Sequence, residues 1–202
     1  MRVLLIGGLL LAASPVLAQQ PMPVPGKAEV SRVAAGTYSV DPDHTQAIFT
    51  VDHMGFTPLS GMIAGAKGAL TIDPAHPGQA KVDVTFDVNN IEGGVEEFTH
   101  HLKTPDFFDA EKYPTIHFVS TKVVASGTHA TITGNLTIHG VTKPVTLDAT
   151  FMGAGTNPMN KKGYIGFYGK TTIRRSDFGV GKYVPLVSDS VKLTLHAGFI
   201  RE

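Results

Sequence analysis

Val191-Lys192-Leu193-Thr194-Leu195-His196-Ala197-Gly198-Phe199 alternates apolar and polar side chains with a period of two, the signature of a strand with one apolar and one polar face. The period recurs upstream. Val145, Leu147, Ala149 and Phe151 alternate with Thr146, Asp148 and Thr150; Ile132, Leu136 and Ile138 alternate with Thr133, Asn135 and Thr137; Val82, Val84, Phe86 and Val88 alternate with Asp83, Thr85 and Asp87. Shorter strands are predicted at residues 37–41, 47–53, 68–73, 115–123 and 164–175, with Gly-, Pro- and Asp-rich turns between them. Eight or nine such strands bury their apolar faces only as a sandwich or a closed barrel. Strands of about eight to twelve residues are long for globular proteins and favour a tall barrel, and the Cys and Trp core of an immunoglobulin domain is absent. The predicted fold is therefore all-β: an extended eight-stranded antiparallel barrel. One short helix near a mouth is expected after Gly93-Gly94, where Val95, Phe98 and Leu102 share one side of a helical wheel. Pro105 bars its continuation.

The ends of the chain read differently. Arg2, the apolar run Val3–Ala13 and Val16-Leu17-Ala18 form a signal peptide over residues 1–18. The run is too short, and too interrupted by Gly and Pro, to span a bilayer. Residues 19–35 form a Pro-rich leader, with Gln19–Pro25 an extended tether. The barrel domain is assigned to residues 36–202. After cleavage, 16 basic side chains face 17 acidic ones, so a nucleic-acid partner is not expected. The chain has no Cys, which excludes a thiol nucleophile, a thiolate zinc site and an iron–sulfur cluster. A chain of this size buries roughly 70% of its unfolded surface and needs no disulfide staples.

Catalytic signals are sparse. The nine His show neither the i, i+4 helical nor the H-x-H strand spacing of a zinc site. No G-x-S-x-G elbow or Gly-rich phosphate loop is present. Glu96-Glu97 and the pair Asp106 and Asp109 read as helix N-terminal charges and turn residues. The apolar inventory carries more. Phe49, Phe86, Phe118, Phe151, Phe167 and Phe199 fall on inward phases, and Phe98, Phe107, Phe108 and Phe178 gather around the helix and the last turns. An eight-stranded barrel is just wide enough to be filled by such side chains or to hold one small ligand. Arg175 ends an inward-facing phase and needs a partner. Either it meets a polar headgroup together with His53 and His101, or it pairs with Asp177 or Asp106.

At these residues the chain resembles the YceI-like family of polyisoprenoid-binding, lipocalin-like periplasmic proteins. The resemblance rests on residues 38–45 (Tyr38 to Thr45), 49–56 (Phe49 to Phe56), 101–115 (His101-Leu102-Lys103-Thr104-Pro105-Asp106-Phe107-Phe108 onward), 134–145 and Arg175-Ser176-Asp177-Phe178-Gly179. It implies a lipocalin-like barrel with a tunnel that holds an isoprenoid lipid, polyprenyl phosphate or quinone, head at the mouth and tail inside. It also implies a periplasmic carrier that is not an enzyme and needs no cofactor beyond the bound lipid. The ligand is expected against Phe49, Val51, His53, Phe86, Phe98, His101, Leu102, Phe107, Phe108, Phe118, Leu136, Phe151, Phe167, Arg175 and Phe178. The chain departs from its relatives at Phe98-Thr99, where many carry Arg-Asp or Leu-Asp, and at 61–65, which lacks the usual Phe. Two alternatives stand beside the carrier: an enzyme using His53 or His101 as acid or base on such a lipid, and a filled barrel that works through its surface. Exposed strand edges permit a homodimer without requiring one.

Overall fold

The alternating segments form strands, and the computed structural model, which describes residues 23–202, joins eleven of them in one sheet. The expected signal peptide lies outside the described residues. In chain order they are β1 (Gly36–Val40), β2 (Gln46–His53), β3 (Thr57–Ala64), β4 (Lys67–Ile72), β5 (Lys81–Asp87), β6 (Ile91–Glu92), β7 (Thr115–Ser126), β8 (His129–Ile138), β9 (Val141–Thr156), β10 (Gly163–Arg174) and β11 (Ser190–Arg201). All pairings are antiparallel. β1 and β2 act as halves of one bent strand, because both pair with β11. β3 and β4 act as halves of the next, bonding β2 and β1 respectively. The order then runs through β5, β7, β8, β9, β10 and back to β11. The result is a closed eight-stranded barrel, as the alternation predicted. Closure pairs most strands on both sides, so few free strand edges remain among the described residues.

The break between β1 and β2 is bridged by side chains. Thr45 Oγ1 donates to the Gly198 carbonyl at 3.1 Å and accepts from the Gly198 N–H at 3.0 Å, replacing ladder bonds. Asp41 beside it is buried. It accepts from the Asp43 N–H (3.1 Å) and from Tyr164 Oη (2.9 Å), and pairs with His44 Nδ1 (2.8 Å). Burial alone would push the Asp41 carboxyl up, but these hydrogen bonds outweigh it and hold it below the usual range.

Three details differ from the sequence reading. β3 was not foreseen, because Pro58 and Gly61 are poor strand formers. Helix α1 spans Glu96–Lys103, with Leu102 buried, but Val95 is 65% exposed. Val95 is the N-cap, with an extended backbone, so it stands off the helical wheel that places Phe98 and Leu102 inward. The leader is also not free along its whole length. Lys27 exchanges backbone bonds with Ala154 (3.1 and 2.9 Å), Tyr38 Oη donates to the Ala34 carbonyl, and Val33 is buried. Packing thus begins before the Gly36 boundary, across the end of the barrel formed by the 73–80 and 157–162 loops. The opposite end, called the mouth below, carries the β2–β3 turn, α1 and the 175–189 loop.

Gly61 explains how β3 accommodates an aromatic wall. Phe49 is its cross-strand partner. A Cβ at Gly61 would lie 2.7 Å from a Phe49 ring carbon and 2.5 Å from the Glu92 carbonyl oxygen. The backbone oxygen cannot swing aside as a side chain does. Gly61→Ala is therefore expected to destabilise by about 1–3 kcal/mol, the cost of overpacking a fitted core. Urea unfolding of the two proteins checks this; an unchanged midpoint would show that β3 and β6 separate freely.

Candidate ligand-binding cavity

Inward-facing residues of a small barrel normally fill it, yet this interior is hollow, with a cavity of about 500 Å³. The reason lies in one row of cross-strand partners. Ile63, Ala47, Leu195, Gly169, Ala149, Ala130 and Ala125 are neighbours in register across β3, β2, β11, β10, β9, β8 and β7. All of them line the cavity, and five are Ala or Gly. A belt of small side chains leaves a void where Leu or Phe would meet across the axis. The barrel is thus not the filled one held open as an alternative. Its volume falls within the roughly 300–1,000 Å³ of small-molecule sites. Val191 and Phe199 both line it from β11, a run of about 26 Å along the strand at ~3.3 Å per residue, or about 20 Å along the axis of a barrel whose strands tilt about 40°. It is narrow, long and greasy.

All fifteen residues singled out in the sequence lie on this wall. Phe151, Phe167 and Phe199 pack in sequence, the first pair tilted and the second edge-on, with centroids 5.7 and 6.1 Å apart. Phe118 rests on Gly134 of the facing strand, as Phe49 rests on Gly61. Phe98 lies against Gly93, whose N–H donates to Thr99 Oγ1 at 2.8 Å. Phe98 and Thr99 thus place an aromatic ring and a loop-tying hydroxyl at the mouth.

Sequence reasoning missed other parts of the wall. Leu193 and Leu195 share the inward phase of Phe199 and were legible by alternation. The Ala belt was not, because register between strands is invisible within any one of them. Tyr183 and Val187 belong to an irregular loop with no period, and Val30 and Val33 to a leader read as loose; all four line the cavity.

The lining is mostly apolar; Thr45, Gln46, Tyr168 and His196 interrupt it part-way along, Thr128 and His129 stand at the far end, and two imidazoles stand at the mouth. His53 and His101 face the cavity, and among the described residues neither ring makes a hydrogen bond. His101 Nε2 stands 3.7 Å from Asp106, too far to count as one. His101 packs edge-on to Phe107 (5.0 Å) and to Tyr183 (6.3 Å). Asp106 instead accepts from Lys182 Nζ at 3.1 Å, which lowers the carboxyl pKa and raises that of the amine. Among the described residues, no three His, Asp or Glu side chains gather as metal ligands would.

Arg175 lines the cavity but pairs with neither of the carboxylates expected for it. It is 7% exposed and starts a single 3-10 turn after β10. Its Nε donates to the Ser188 carbonyl (2.8 Å), Nη1 to those of Val180 and Lys182, and Nη2 to that of Val187 (2.7 Å each). Four of five N–H groups are spent, and neither Asp177 nor Asp106 pairs with it. Burial pulls its pKa down while Asp189 pushes back, yet a guanidinium stays charged in proteins. The guanidinium therefore pins the 180–188 loop around the mouth. Its fixed fork, which a carboxylate usually fills, is here filled by backbone carbonyls.

The whole barrel has known counterparts. A YceI-like domain model matches residues 38–199. A UPF0312 protein of Pseudomonas aeruginosa is 38% identical over 171 residues, covering 83% of this chain and 88% of the relative. The crystal structure of BcnA from Burkholderia cenocepacia superposes with a TM-score of 0.70 at 29% identity, over 79% of this chain and 98% of that one. A polyisoprenoid-binding domain from Saccharophagus degradans, implicated in plant cell wall breakdown, shares the fold at a TM-score of 0.62 and 12% identity, over 82% and 98% of the two chains.

Proposed function

Since this chain belongs to the YceI-like family, we propose that it is a non-enzymatic carrier that holds one isoprenoid lipid, a polyprenyl phosphate or quinone, in the periplasm. The observation that carries this reading is the belt of Ala and Gly that hollows the barrel into one apolar channel. A branched hydrocarbon chain fits such a channel with its length along the axis. Each buried CH₂ contributes roughly 0.8 kcal/mol, so a tail of several isoprene units binds without a polar network. The polyisoprenoid-binding domain of S. degradans, which shares the fold, supports this cargo class. In this reading His53 and His101 meet the headgroup, because they are the polar rings on the wall at the mouth. The apolar wall residues identified above hold the tail. Export through the residues 1–18 signal peptide would place the carrier beside the membranes that contain such lipids.

Native mass spectrometry of the exported protein, followed by organic extraction, tests the proposal. A stoichiometric excess mass that extracts as a polyprenyl lipid or quinone is expected. Recovery of only the apo mass, with failure to take up added ubiquinone or polyprenyl phosphate, overturns it.

A further inference from the structure

The apolar surface does not stop where the cavity does. Tyr183 and Val187 line the mouth from the 175–189 loop, and the next side chains outward are exposed: Leu186 by 62%, Tyr183 itself by 48% and Val184 by 39%. The β2–β3 turn stands beside them. Met54 N–H donates to the Leu186 carbonyl at 2.8 Å, and Ser188 N–H to that of Asp52 at 2.9 Å. That turn exposes Met54 by 48% and Phe56 by 86%. Five large apolar side chains therefore project from two loop tips tied together by backbone bonds. Met54 and Tyr183 do so from left-handed backbones, with φ of 58° and 64°, where Gly, Asn or Asp are usual. At Met54 neither burial nor turn geometry calls for an apolar residue.

We propose that these tips are a docking surface for a lipid bilayer, inserting beside the mouth while cargo passes. Its use rests on the carrier reading, although the contact itself is independent of cargo. Continuity is the first argument, since the exposed strip extends the cavity lining outward and a tail moving along it would remain in apolar surroundings. Size is the second. A stable protein interface takes about 20–30 residues a side, whereas five side chains on projecting tips suit a deformable interface into which small apolar groups sink. Charge is the third. The cations Lys182 and Arg174 bordering the tips are paired within the protein, with Asp106 at 3.1 Å and Asp189 at 2.9 Å, while the exposed Asp52 in the β2–β3 turn accepts from the Gly55 N–H at 2.7 Å. The surface thus matches zwitterionic lipid and should respond little to salt.

The chain contains no Trp, so a single introduced indole reports its own surroundings. Phe56→Trp should shift its emission to the blue on addition of phosphatidylcholine vesicles and be quenched by brominated acyl chains. Met159→Trp, at a site 88% exposed at the far end, should do neither. Phe56→Asp combined with Leu186→Asp should weaken vesicle co-sedimentation by about tenfold or more, the scale set by losing one buried large side chain. Unchanged Phe56→Trp emission, or an equal shift at Met159→Trp, overturns the proposal. A blue shift that follows protein concentration without vesicles also overturns it and assigns the patch to a second copy. Failure of the carrier reading is seen separately, as an apo mass in a protein that still binds vesicles.

Discussion

Ala149→Trp is expected to abolish cargo retention while leaving the barrel folded. Ala149 sits in the belt between Ala130 and Gly169, where neighbouring side chains are too small to resist an indole. The new ring lies across the channel and takes the place of the lipid tail. Displacing about four CH₂ groups costs about 3 kcal/mol, or on the order of a hundredfold in affinity. Stability should hold or rise, since filling a void restores lost contacts. Titration with a fluorescent polyprenyl analogue and thermal unfolding measure the two effects. Full binding by a folded variant would place the ligand outside the barrel.

Arg175→Leu should have the largest effect on stability. The substitution removes four hydrogen bonds at once and leaves the carbonyls of Val180, Lys182, Val187 and Ser188 without their donor. Each unpaired buried group costs about 1–3 kcal/mol, although opening the loop lets water satisfy some of them. A net loss of about 3–5 kcal/mol is expected, as when one partner of a buried charged group is removed. Arg175→Lys should rescue little, because one ammonium cannot reach carbonyls spread around a planar fork. Urea unfolding gives the global loss, and hydrogen exchange should show the amides of 180–188 losing protection first. Retained protection there would mean that the loop is held by other contacts.

The barrel was legible because alternation is a local property. β11, β9 and β8 announce their inner faces residue by residue, and Phe98 and Leu102 mark the inner side of α1. What escaped is non-local. Ala47, Ala130 and Ala149 are unremarkable on their own strands, and only register reveals them as a belt. Arg175 illustrates the opposite case. Its burial was foreseen from its phase, but its partners are carbonyls of an irregular loop whose path no side-chain pattern encodes. The leader misled for a related reason: Val33 packs against the barrel because of where the chain crosses it, which its Pro-rich beginning does not reveal.

The last strand also bears on the order of events after synthesis. β11 bonds to β10 over its whole length and to both β2 and β1 on its other side, so the first and last strands seal the wall together. Contacts between the two ends of a chain are the slowest to form, because the longest loop must close first. Until Ser190–Arg201 arrive, β10 and β2 face each other across an open seam, and the apolar inner face meets water. Folding therefore reaches a hollow, cargo-ready state in its final step, and a molecule truncated before Ser190 becomes a curled sheet with two sticky edges.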